Sequence, residues 1–228
     1  PKVDAIFGLH AWPGKVGTVE YRSGPTMAAA ERMRITVTGS QTHGAVPWKG
    51  VDPIAISSQI ITALQTIVAR EVNITQVPAV VTIGSIHGGV RNNIIPEEVV
   101  MEGTIRTFND EVRKDIHDSI RKKAEMIASA SGATAKVEIF SDIAKVTFNE
   151  PSLTDKMVPS LERVYGKENV KITPFITGAE DFPFFTDHAP GLYFFNGVAP
   201  DPSKAPPNHS PYFFADERNL KYGTKALT

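Results

Sequence analysis

A chain of 228 residues with 41% apolar and 21% charged residues is long enough to bury one large core or two small ones. Its formal charge of −1, from 24 basic and 25 acidic side chains, and a single short basic run, Arg121-Lys122-Lys123, exclude the electrostatic footprint that nucleic-acid binding needs. No apolar run approaches the roughly 20 residues that cross a bilayer. Zero cysteines exclude a disulfide framework, a thiolate metal site and a cysteine nucleophile, so any metal must use His, Asp or Glu, and a cytoplasmic location is the expectation.

The chain opens with Pro1 rather than Met, on the strand-like run Val3-Asp4-Ala5-Ile6-Phe7-Gly8-Leu9, and stops inside a helical pattern over 216–228. It reads as a piece of something longer. Met33, Ile35 and Val37 alternate with Arg32, Arg34, Thr36 and Thr38, the period-2 signature of a strand with one buried face. After a loop holding Gly39, Gly44, Pro47 and Gly50, Asp52 can cap a helix whose first residue, Pro53, has no N–H to lose. Ile56, Ile60, Ile61, Leu64, Ile67 and Val68 carry its apolar face to about residue 70. Strands are predicted over 80–86 and 99–108, joined by a loop over 88–96. Asn109 or Asp110 then caps a second helix, striped by Val112, Ile116, Ile120, Ala124 and Ile127 and ended by Gly132. Ala135-Lys136-Val137-Glu138-Ile139 supplies a fourth strand.

The order β-α-β-β-α-β over residues 28–142 predicts a ferredoxin-like unit, a four-stranded antiparallel sheet with two helices on one face. Residues 1–27 and 143–228 are richer in Pro and loops, with a helix near 152–165 and short strands over 170–176 and 191–195. They read as parts of one second domain into which the sheet unit is inserted. The fold class is α/β (α+β).

Six histidines carry most of the possible chemistry. His10 ends an apolar strand in Gly8-Leu9-His10-Ala11-Trp12-Pro13, where α/β enzymes collect functional side chains, or is a buried histidine beside Trp12. His209, in Pro206-Pro207-Asn208-His209-Ser210-Pro211, sits in a loop stiffened by proline, as a metal ligand or catalytic group requires; a turn histidine of no consequence is the alternative. His43, in Thr42-His43-Gly44-Ala45-Val46-Pro47, sits at the tip of the sheet unit, either exposed or meeting a ligand that Gly44 lets approach. His117 faces the charged side of the second helix and is expected on the solvated surface, and His87 and His188 read as loop residues. Arg106 projects from its strand opposite Ile105, its fork open to a carboxylate or to a cross-strand ion pair. Asn93 could hold a substrate amide or cap a turn. Glu180 and Asp181 could bind metal, act as acid and base, or cap the next helix. No glycine-rich phosphate loop, nucleophile elbow or two-histidine helical zinc motif occurs.

Six segments taken in order, Gly8-Leu9-His10-Ala11-Trp12-Pro13, Thr42-His43-Gly44-Ala45-Val46-Pro47, Asn93-Ile94-Ile95-Pro96, Gly103-Thr104-Ile105-Arg106-Thr107-Phe108, Gly178-Ala179-Glu180-Asp181-Phe182 and Asn208-His209-Ser210-Pro211, carry a resemblance that runs essentially end to end. The chain resembles the metal-dependent amidohydrolases and aminoacylases typified by hippurate hydrolase and the auxin-conjugate hydrolases, within the clan MH metallopeptidases. The resemblance implies a catalytic domain with two divalent metal ions (Zn, Mn, Ni or Co), interrupted by a ferredoxin-like lid domain that forms a homodimer. It implies hydrolysis of the amide bond of a small N-acyl amino acid or conjugate, with neither nucleic acid nor membrane as partner. It makes His10 and His209 metal ligands and His43 the catalytic lid histidine that steadies the oxyanion, usually in the partner's site. Asn93 and Arg106 become substrate-orienting residues and Gly178 part of the pocket loop, where Ala179 replaces the more usual Ser. Relatives place a Cys and a His, then a Glu-Glu pair with the general base, in a segment that precedes this one, so the chain by itself is expected to be inactive. The alternatives are a non-catalytic dimerising fragment and a carboxypeptidase or allantoate-type amidohydrolase; a histidine after Gly8-Leu9 favours the hippurate hydrolase branch.

Overall fold

Apolar and polar residues alternate along 31–38, and in the computed structural model, which describes residues 3–228 with the backbone alone at 142, they form a continuous strand. In chain order the strands are β1 (Ile6–Lys15), β2 (Val19–Tyr21), β3 (Gly24–Met27), β4 (Ala29–Thr38), β5 (Thr42–His43), β6 (Ala79–Gly88), β7 (Ile94–Ile95), β8 (Glu98–Thr107), β9 (Thr134–Ala144), β10 (Thr147–Asn149), β11 (Val170–Ile172) and β12 (Gly191–Ala199). The helices are α1 (Pro53–Thr66), α2 (Asp110–Ala130), α3 (Pro151–Tyr165) and α4 (Leu220–Leu227). The backbone packs as two compact units, residues 29–144 and residues 3–28 with 145–228.

In the unit of 29–144 the sheet runs β6-β8-β4-β9, every neighbouring pair antiparallel. With α1 following β4 and α2 following β8, this is the ferredoxin-like order. Met33, Ile35, Val37, Val99, Met101 and Ile105 share one core with Ile56, Ile60 and Leu64 of α1 and Ile116, Ile120 and Ala124 of α2. Each of these side chains other than Ala124 contributes roughly 1.5–3 kcal/mol by leaving water. Arg32 and Arg34, on the opposite face, are exposed. The caps are those the sequence predicts: Asp52 Oδ1 accepts from the amides of Ile54 and Ala55 at 2.9 and 3.3 Å, and Asn109 Oδ1 from Glu111 and Val112 at 2.9 and 3.0 Å. Gly132 takes the left-handed conformation after α2, φ 77°. Beyond Thr66 the first helix widens into a π-turn over Ile67–Glu71, and the loop before β8 contains the short strand β7.

The surface position expected for His117 is corrected. Its side chain is only 15% exposed, and its Nε2 lies 2.6 Å from Oε2 of Glu31, itself 1% exposed. The cause lies in β4, where Glu31 continues the inward face of Met33, Ile35 and Val37. A buried carboxylate needs a donor, and α2 supplies His117 to it.

In the other unit the sheet order is β1-β12-β2-β11, with β1 parallel to β12, β12 antiparallel to β2, and β2 parallel to β11. Every residue of β12 is buried, as befits a strand covered on both faces. Leu192 and Phe194 pack with Leu161 and Tyr165 of α3, while Tyr193 and Phe195 face the opposite way with Met27 and Phe182. Asn149, fully buried, ties β10 to β12: its Nδ2 donates to the carbonyls of Arg22 and Tyr193, each at 2.8 Å, and its Oδ1 accepts from the Tyr193 amide at 2.6 Å. The strand expected to end at His10 instead runs on to Lys15, because Ala11 and Trp12 stay in register with Asn196 and Gly197. His10 is therefore internal to β1.

Candidate active site

Register places His10 opposite Phe195. Its ring packs edge-on against Trp12 and Tyr193, with centroids 5.5 and 6.3 Å away, and tilts against Phe195 at 6.2 Å. Nδ1 lies 2.7 Å from the carbonyl oxygen of Ala11. A carbonyl only accepts, so Nδ1 carries a proton and the neutral ring turns the lone pair of Nε2 outward. That lone pair faces Oε1 of Glu180 at 3.2 Å. Two acceptors at this separation repel unless a cation lies between them, whether a proton on Nε2 or a metal ion. A ring nitrogen held by a carbonyl while the other points at a charged centre is the usual setting of a metal-ligating histidine. Burial pushes the Tyr193 phenol well above its usual range, and the charge of Glu180 and a hydrogen bond to it push the same way. Glu180 thus joins His10 and Tyr193, whereas Asp181 heads the short turn Phe182–Phe184 without capping it.

His209 has φ 65°, a left-handed backbone that is rare outside glycine. Its neighbour Asn208 donates from Nδ2 to the carbonyl of Ala11 at 3.0 Å, the same oxygen that orients His10. Oδ1 of Asn208 is buried and unpartnered. Glu180 is one of the two carboxylates weighed from the sequence as metal ligand, acid or base, or cap, whereas Asn208 is not expected in the site. The signal for Glu180 was its place after Gly178-Ala179; for Asn208 it was adjacency to His209. The Gly178 carbonyl accepts from the Ala28 amide at 3.0 Å, and a Cβ at Gly178 would lie 3.3 Å from Cε of Met27. Among the described residues no group of three His, Asp or Glu side chains is gathered to hold a metal. His10 and Glu180 offer two converging donors, fewer than a metal ion needs.

In the unit of 29–144, β5 pairs with β7, setting His43 against Ile94. The Gly44 amide donates to the Asn93 carbonyl at 2.8 Å, and a Cβ at Gly44 would press within 3.2 Å of that oxygen. His43 and Asn93 are thereby held side by side. The Ala45 amide donates to Nδ1 of His43 at 3.1 Å, which leaves the proton of the neutral ring on Nε2, an outward-facing donor. Arg106 is not with them. It lies in β8 opposite Ala30 and Val80, eight residues beyond Glu98, about 26 Å from the His43 end at the rise of a strand. Among the described residues it makes no ion pair, so the cross-strand bridge is not formed. No helix among the described residues is long and apolar enough to cross a membrane.

Residues 30–131 match the peptidase dimerisation domain. The chain is 38% identical over 228 residues to thermostable carboxypeptidase 2 of Saccharolobus solfataricus, covering 98% of this chain and 56% of that protein. It is 38% identical over 219 residues to the N-acetyl-L-cysteine deacetylase of Bacillus subtilis, covering 94% and 50%. A crystal structure of a Bacillus subtilis protein described as a dinuclear metal binding peptidase from the M20 family superposes with a TM-score of 0.75 at 29% identity, over 98% of this chain and 56% of that one. The chain spans about half the length of the relatives it matches. Together with the ferredoxin-like unit, these likenesses place the chain in the M20 family of amidohydrolases, deacetylases and carboxypeptidases, with its dimerisation domain over residues 30–131.

Proposed function

We propose that the protein is a hippurate hydrolase-like amidohydrolase that uses two divalent metal ions to cleave the amide bond of N-acyl amino acids or related conjugates, working as a homodimer through its dimerisation domain. The observation that carries the reading is the lone pair of His10 Nε2 aimed at Oε1 of Glu180 over 3.2 Å, with Nδ1–H tied to the Ala11 carbonyl. His10 and His209 are two of the metal donors in this reading. The chemistry supplied by two bound divalent ions is hydroxide at neutral pH. His43 donates from Nε2 to the scissile carbonyl oxygen as it gains charge, and Asn93 orients the substrate beside it. Gly178 lines the pocket loop without a side chain to obstruct it. Arg106 binds the free carboxylate of the amino acid. Arg106 stands about 26 Å along β8 from Glu98, the strand end nearer His43, a span longer than a small substrate, so His43 and Arg106 touch one substrate only when two copies contribute.

The test is made on the enzyme that carries this chain, loaded with metal. His43→Ala lowers turnover about 10²–10³-fold with metal content unchanged, the cost of one oxyanion donor, while His10→Ala and His209→Ala lower the metal measured by elemental analysis. Near-normal turnover of His43→Ala, or full metal content without either imidazole, overturns the reading. The carboxypeptidase relative makes a dipeptide the second substrate class to assay.

A further inference from the structure

A cleft of about 330 Å³ opens beside His43 in the unit of 29–144, lined by Gln41, Val90, Arg91, Ile94 and Pro96. The strand pair that holds His43 forms one of its walls, since Ile94 lines the cleft and is the register partner of His43. The Ile94 amide donates to the Arg91 carbonyl at 3.3 Å, which folds the segment into a turn and carries Arg91 to the cleft's rim. Gly89 enters that turn with φ 81°. Arg91 is exposed and makes no ion pair among the described residues, and Val90 next to it is 99% exposed. A bare guanidinium, a carboxamide on Gln41 and an apolar wall of Val90, Ile94 and Pro96 make a small site for an anion on an apolar stem.

We infer that this cleft selects the acyl group of the substrate and takes one that ends in a carboxylate, a dicarboxylic acid joined to the amino acid through one of its two ends. The inference rests on the role proposed for His43. The oxygen that His43 meets there belongs to the acyl group's own carbonyl, and with the amino acid's carboxylate assigned to Arg106 the cleft beside His43 is left to the acyl chain. Arg106 of a second copy is left for the amino acid's carboxylate, so Arg91 and that Arg106 read opposite ends of one substrate.

Two measurements test it. In the metal-loaded enzyme, kcat/KM is compared for an N-glutaryl and an N-valeryl derivative of the same amino acid. Arg91→Gln lowers the value for the glutaryl substrate about fivefold, the size of one solvent-exposed ion pair, and leaves the valeryl value unchanged. Equal loss on both substrates, or no loss on either, overturns the inference. Separately, glutarate is titrated against the 15N-labelled chain. The Arg91 Nε–H and Gln41 side-chain amide resonances shift with glutarate, do not shift with valeramide, and cease to respond at Gln41 in Arg91→Gln. Silence of both resonances overturns the cleft even where the enzyme is active, and a response without amide hydrolysis overturns the proposed function while the cleft stands.

Discussion

The side chains of His10 and Asn208 converge on one acceptor, the carbonyl oxygen of Ala11, at 2.7 and 3.0 Å. Nearly two hundred residues apart in the chain, they are locked by a single backbone atom: one bond fixes the tautomer of His10, and the other pins the strained turn that carries His209. Asn208→Ala releases the turn and removes one of the two donors to that oxygen. Bound metal is then expected to dissociate about tenfold more readily, at the lower end of what outer-shell partners of ligands contribute, with the far-ultraviolet circular dichroism unchanged. Competition against a chelator measures it, and an unchanged affinity would separate the turn at 208–209 from the site of His10.

Glu31 and His117 set a pH dependence in the unit of 29–144. Burial alone would push the Glu31 carboxyl up, but the hydrogen bond with His117, the nearby Ser141 hydroxyl and the charges of His117 and Arg113 outweigh it and hold the group below the usual carboxylate range. A carboxyl depressed on folding stabilises the folded state above its unfolded pKa, and that stability is lost as pH falls through the folded value. His117→Ala leaves the buried carboxylate unpaired, at a cost of roughly 3–5 kcal/mol at pH 7. The deficit shrinks in acid, where Glu31 takes up a proton. Urea unfolding of both proteins at pH 7 and pH 4 measures it, and a deficit equal at the two values would mean that the pair is not what His117 contributes.

Gly103 of β8 is the register partner of Ile83 in β6. A Cβ there would collide with the carbonyl oxygen of Thr82 and lie 2.7 Å from Cε of Met33. Backbone cannot yield as a side chain can, so Gly103→Ala forces the strands apart and costs about 2–3 kcal/mol. Hydrogen exchange localises the effect: amides of β6 and β8 lose protection while those of β1 and β12 keep theirs. Uniform loss across both units would contradict this account.

Elements were legible wherever local chemistry decides. Asp52 before Pro53 and Asn109 before an acidic first turn mark helix starts because the orphan amides of a first turn need an acceptor within three residues. The alternation at 33–37 marks a strand because side chains in a strand point alternately to two faces. The same logic misled at His117, where the buried carboxylate of Glu31 draws in a side chain that pattern reading assigns to solvent. It also closed β1 too early, since nothing local to Ala11 or Trp12 announces that β12 runs beside them.

Composition, caps and periodicity by themselves determined the class of fold, the order of the ferredoxin-like unit and the restriction of any metal chemistry to His, Asp and Glu, because each depends on residues a few positions apart. Tertiary structure alone decided that Glu180 faces His10, that Asn208 reaches the carbonyl of Ala11 and that Arg106 stands a strand's length from His43. Those relations are set by sheet register and loop closure between segments distant in sequence, and no local rule encodes where such segments meet.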